Sequence, residues 1–278
     1  MRTIHALAIS VAVLLFGSLA LAAEGSEETP APAPPEETPD VMTIVERANL
    51  AMYYPGNDGR ARVHMMIKDK QGNVRQREFN ILRRDVKDGG DQMYFVYFFE
   101  PADVRKMVYL VHKHAAVDKD DDRWLYLPSL DLVKRIAASD KRTSFVGSDF
   151  LYEDVSGRSP QLDNHELVTT TDAYYLIKST PKRPEQVEFA YYHFYVDRRT
   201  WLPYKIEYFD KEGKLLRTIE ALKIEMIEKL PTITHSRVRD AIRESTTEMT
   251  YSGVDYNIDV GDIFQERYLR RPPRSVMQ

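Results

Sequence analysis

Two hydrophobic periods divide the chain from Asp40 onward. Val41, Ile44, Val45, Ala48 and Met52 fall at helical spacing behind Asp40, a good N-cap, and Tyr54-Pro55-Gly56-Asn57-Asp58-Gly59 closes the predicted helix. Beyond it the period drops to two. Val63, Met65 and Ile67 alternate with His64, Met66 and Lys68, and a turn at 69–73 leads into a return strand over 74–84. Further strands are predicted at 93–99, 107–114, 123–127, 131–136, 165–170, 173–179, 187–196, 204–210, 214–226, 233–239, 245–251 and 254–258. Short strands with local turns favour a meandering antiparallel sheet over a βαβ fold.

One block breaks the alternation. Met93-Tyr94-Phe95-Val96-Tyr97-Phe98-Phe99 is apolar at every position, so apolar material must cover both faces of this strand. The segment from Ser139 to Gly157 has no period of two. Its Phe145, Phe150 and Leu151 supply bulk, which predicts a loop with a short helix lying across one face of the sheet. A second helical turn is expected near Asp262 to Gln265.

The N-terminus changes the picture of where the chain works. Arg2, the apolar run Ala6 to Ala22 and the Ala20-Leu21-Ala22 site have the form of a cleaved secretory leader over 1–22. The run falls short of the roughly 20 residues that a spanning helix wants. Residues 23–39, rich in Pro and Glu, cannot fill a core and are expected as a disordered linker, leaving one domain over 40–278. The chain has no cysteine, so neither disulfides nor a lipid-modified cysteine enter the picture, and the expected compartment is the periplasm. The formal charge is −4. Without Arg2 it is −5, which the five linker glutamates account for, so the body is formally neutral. That argues against nucleic acid as a partner.

Candidate chemistry is sparse. His112 and His114 share a strand face, a spacing that suits two metal ligands, but no third ligand is placed, and surface or satisfied histidines account for them. Asp118 to Asp122 lacks the glycine and glutamate of a calcium loop, with Arg123 and Ser129 at those positions, and fits a solvated turn. Gly147-Ser148-Asp149 fails the nucleophile-elbow frame. Glu153 and Asp154 suit backbone capping, or pairing with arginines such as Arg135 or Arg142, better than acid–base work. Arg60, Arg62, Arg75, Arg77, Arg83 and Arg84 crowd the first hairpin, either as ion-paired strand residues or as a rim for anionic headgroups. No metal, cofactor or catalytic site is expected.

Several stretches together resemble the outer-membrane lipoprotein-sorting protein family, the LolA-like periplasmic proteins. They are Glu100-Pro101-Ala102-Asp103-Val104-Arg105, Asp121-Asp122-Arg123-Trp124-Leu125-Tyr126-Leu127-Pro128, Lys134-Arg135-Ile136 and Ser144 through Asp154. Asp197-Arg198-Arg199-Thr200-Trp201-Leu202-Pro203, Lys205 to Asp210 and Phe264 to Leu269 fit as well. One departure is Lys106, where the family usually has glycine. The resemblance implies a mainly β fold with α, a strongly curved antiparallel sheet like an unclosed half-barrel. Helices would cover its concave face, with a hydrophobic cavity between. It also implies a carrier or chaperone for a lipid or acylated lipoprotein, with an inner-membrane RND-type exporter as a further partner. The lining is expected to include Met65, Ile67, Phe95, Tyr97, Leu125, Leu127, Phe145 and Phe150. The alternative is a non-catalytic adaptor that docks on the exporter without carrying lipid. A monomer is expected in either case.

Overall fold

A helix that must cap itself before a long meander sets the architecture. The computed structural model describes residues 38–87 and 89–277. The leader and nearly all of the linker expected from sequence lie outside them. Helix α1 (Val41–Tyr53) starts where Asp40 Oδ1 accepts the Thr43 N–H at 3.1 Å. Six strands follow: β1 (Asp58–Lys68), β2 (Val74–Asp85), β3 (Gln92–Glu100), β4 (Val108–Lys113), β5 (Asp122–Leu127) and β6 (Leu132–Arg135). A crossover segment carries the short helix α2 (Tyr152–Ser156). The second set is β7 (Asp163–Thr170), β8 (Tyr174–Pro181), β9 (Tyr191–Asp197), β10 (Pro203–Phe209), β11 (Leu215–Ile227), β12 (Leu230–Asp240) and β13 (Ser245–Tyr256).

Among the described residues thirteen strands form one antiparallel sheet in the order β6-β5-β4-β3-β2-β1-β13-β12-β11-β10-β9-β8-β7. The first and last strands meet at its centre. The link from β6 to β7 therefore has to travel from one edge of the sheet to the other, and it does so across one face. We call this the inner face. Helix α1 lies on the same face, and its reach shows that the sheet is curved. Ile44, Val45 and Ala48 pack against Tyr175 and Ile177 of β8 and Phe194 and Val196 of β9. At its other end the Tyr53 carbonyl accepts from Arg83 Nη1 of β2 at 2.9 Å and Gln92 Nε2 of β3 at 2.7 Å. On a flat sheet β9 and β2 would be six steps, or about 29 Å, apart. A 13-residue helix is only about 20 Å long. The sheet must curl around it, as the half-barrel expectation requires.

Strand β3 is covered on both faces, by different parts of the chain. Tyr94, Val96 and Phe98 point inward with Phe79, Tyr109 and Leu125, against Phe145, Phe150 and Tyr152 of the crossover. Phe95 and Tyr97 point outward with Leu82, Leu110 and Trp124, under Val260, Ile263, Phe264, Leu269 and Val276 of the C-terminal segment. Both apolar parities of the strand are thus satisfied.

Some boundaries differ from the sequence pattern. Strand β13 runs unbroken through Ser252-Gly253, read from sequence as a turn. Gly253 at φ 54° absorbs a bulge opposite Arg60 and Arg62 instead. The helical turn expected at 262–265 falls at Glu266–Tyr268.

Candidate functional site

The inner face is filled over one half of the sheet and hollow over the other. In the first half Phe145 stands among Phe79, Phe98, Tyr109 and Tyr152, with ring centroids 5.5–6.2 Å away. Toward β10–β13 the crossover's Phe145, Phe150 and Val155 stand at the edge of a gap. A cavity of about 230 Å³ opens there. Met52 and Tyr53 of α1 form its roof, Phe145, Phe150 and Val155 one wall, and Ile206, Ile219, Met249 and Tyr251 the floor. Its surface is mainly apolar. Asp154, Arg83 and Ser236 are among the few polar groups that border it.

Buried polar contacts hold the crossover over the sheet. Asp149 accepts Ser245 Oγ at 2.5 Å, Thr247 Oγ1 at 2.7 Å and Arg243 Nη2 at 2.9 Å. Arg142 joins Glu153 at 2.6 Å to Glu188 at 2.5 Å. Arg158 bridges Asp163 at 2.8 Å and Glu153 at 3.5 Å. Asp154 accepts the Leu151 N–H at 2.6 Å and pairs with Arg217 Nη2 of β11 at 2.5 Å. Burial alone would raise the Glu153 carboxyl, but Arg142, Arg158 and Lys141 outweigh it and hold the group below the ordinary carboxylate value. Lys113 shows the opposite balance. Burial lowers its ammonium to about 8 although Asp121 and Glu153 are near. Its Nζ donates to Ser156 O at 2.5 Å and lies 5.2 Å from the Tyr53 ring. It thereby ties α2 to α1.

The eight residues expected to line a cavity part into three groups. Phe145 and Phe150 border it. Met65, Ile67, Leu125 and Leu127 face inward but belong to the packed cluster beside it. Phe95 and Tyr97 require correction. They sit on the outer face beneath the C-terminal segment, because a one-residue change of parity on a strand exchanges faces. Tyr94 and Val96 border the cavity in their place. An all-apolar strand carries no period-two signal to separate the two sets. The floor residues Ile206 and Ile219 were missed for another reason. Ile206 stands between Lys205 and Glu207 and Ile219 between Thr218 and Glu220, which looks like an ordinary half-buried strand.

The polar candidates are committed to structure. His112 Nε2 donates to Phe264 O at 2.8 Å, and His114 lies between Asp91 and Asp122. Asp121 accepts the His114 N–H at 3.0 Å and pairs with Arg123 at 2.5 Å. Ser148 Oγ donates to Phe145 O at 2.7 Å. The arginines of the first hairpin do not gather. Arg83 caps the end of α1 through Tyr53, Pro55 and Gly56 carbonyls, and Arg75 holds Gly147 O. Arg60 pairs with Asp255 and Arg62 with Glu78, while Arg84 grips Gly261 O. Among the described residues no three His, Cys, Asp or Glu side chains are placed to hold a metal, and no helix is long and apolar enough to cross a membrane. Lys106 adopts φ 67°, the left-handed region that favours glycine.

Comparison with solved structures places this geometry in a class. A DUF1329 family protein from Desulfovibrio piger ATCC 29098 is 28% identical with a TM-score of 0.75, over 82% of this chain and 96% of that one. An outer membrane lipoprotein-sorting protein domain from Vibrio parahaemolyticus aligns over 83% and 98% at 23% identity and a TM-score of 0.75. A LolA superfamily protein from Nitrosomonas europaea aligns over 83% and 100% at 19% identity and 0.63. The unclosed antiparallel sheet with its helical cover is the LolA-like fold. A family model described as "Uncharacterized protein" matches residues 90–271, well over half of the chain. The chain belongs to this family, and it is LolA-like. No curated protein matches it.

Proposed function

We propose that the protein is a periplasmic carrier that shelters an acyl chain of a lipid or lipidated protein between α1, the crossover and β10–β13. The observation that carries this reading is the mainly apolar cavity of about 230 Å³ beneath α1. Binding pockets of drug-sized ligands span roughly 300–1,000 Å³. A cavity of this volume suits part of one chain, and a longer chain needs α1 or the crossover to yield. Support comes from a fold shared with a lipoprotein-sorting domain and from the leader expected at 1–22. Binding without bond chemistry is the natural role, since Ser148, Glu153 and His112 are all engaged within the structure. The protein acts as a monomer, and an RND-type exporter is a candidate source of the cargo.

The test is uptake of a fluorescent fatty acid, together with mass spectrometry of lipid extracted from the purified protein. Saturable uptake that Ala221→Trp abolishes is expected, because Ala221 borders the cavity. Absence of both bound lipid and uptake in the folded protein would overturn the carrier reading.

A further inference from the structure

We propose that the C-terminal segment and the β5–β6 hairpin together form a docking surface for an anionic membrane. The C-terminal segment turns Ile263, Phe264, Leu269 and Val276 onto the sheet and leaves Arg267, Arg270, Arg271 and Arg274 exposed. From Glu266 to Met277 these four arginines meet a single acid, on a body whose formal charge is zero. Arg270 joins the segment to the hairpin. Its Nε pairs with Asp131 Oδ1 at 2.9 Å, and its guanidinium lies 5.9 Å from the Tyr126 ring centroid. The two elements therefore present one continuous surface. On the hairpin Leu130, at the turn, is 69% exposed, and Arg135, opposite Trp124 on the outer side, stands in the open.

This combination matches the chemistry of a headgroup layer. Arginines meet phosphates, half-buried tyrosines such as Tyr126 and Tyr268 suit the interface, and a leucine at a turn tip enters the acyl boundary. An acidic protein would satisfy the arginines, but it leaves the protruding Leu130 without a role. The surface lies on the outer side of β5, whereas the cavity lies on the inner side. The inference thus goes beyond the carrier reading, and the two can fail separately.

Co-sedimentation of the full chain with vesicles tests it. One set holds one part phosphatidylglycerol to three parts phosphatidylethanolamine, and the other holds phosphatidylcholine alone. Binding to the anionic set should exceed the neutral set by at least about tenfold and fall steeply with added salt. Replacing Arg267, Arg270, Arg271 and Arg274 by Gln should remove that preference. The milder pair Arg271→Gln and Arg274→Gln, which spares the Asp131 contact, should weaken it several-fold with the fold intact. Leu130→Ser should lower binding to the anionic set without changing its salt dependence. Fatty-acid uptake should survive in all of these variants. Equal binding to both vesicle sets, or full binding by the four-arginine variant, would overturn the proposal. So would the absence of vesicle binding alongside arginine-dependent retention of an acidic membrane protein, which would reassign the surface to a protein partner.

Discussion

The two halves of the inner face start from the same sheet and end in opposite states. Over β2–β4 the crossover drops Phe145 and Tyr152 into the curve, and the residues there are close-packed. Over β10–β13 the same sheet carries Ile206, Ile219 and Tyr251, and the end of α1 with Phe150 and Val155 of the crossover faces them across a gap. Apolar residues on a strand face are therefore not enough to make a core. A second layer must bring side chains of matching volume, and here it does so over one half alone. The packed half holds the cover in place, and the hollow half gives the space.

Truncations should cost different amounts in the two halves. Phe145→Ala should lower stability by about 3–5 kcal/mol in urea unfolding, the range for a buried aromatic. Ile206→Ala, at a half-buried position beside the cavity, should cost about 1 kcal/mol because little packing is lost. Equal losses would break the comparison. Asp154→Ala should cost about 3 kcal/mol by leaving Arg217 buried without its carboxylate. Asp154→Leu combined with Arg217→Met should recover much of that loss in the same assay.

Lys113, which ties the two covering pieces together, gives a pH test. Its folded-state value near 8 lies below the unfolded 10.5, so the unfolded chain binds more protons between these values. Stability relative to Lys113→Met should therefore rise from pH 8 to 10.5, by on the order of 2 kcal/mol, in thermal melts. A flat difference would mean that the lysine reaches solvent.

Enlargement gives the reverse test of the contrast. Ala221→Phe, at the cavity, should change stability by less than about 1 kcal/mol while reducing fatty-acid uptake. Ala48→Phe, where α1 packs on β8 and β9, should cost about 1–3 kcal/mol. The smallest effect is expected away from both halves. Lys106→Gly should stabilise by about 0.5–1 kcal/mol, since it relieves a left-handed residue, and differential scanning calorimetry would show it.

Much of the fold was legible from local pattern. Asp40 marked the first residue of α1, the period of two marked most strands, and the failed alternation at Met93 to Phe99 marked a strand buried on both sides. These signals are local, because they depend on backbone spacing and on which side chains avoid water. Which parity of that strand meets the cavity was not local. Phe95 and Tyr97 are as apolar as Tyr94 and Val96, and only the docking of the C-terminal segment on one side and the crossover on the other separates them. The cavity is a property of what is missing between layers, so it belongs to no single stretch of chain. By itself the sequence determined the strands, their order of apolar positions and the start of the helix. Tertiary structure alone decided that the sheet curls around α1, that one half of its inner face is filled and that the other half stays open.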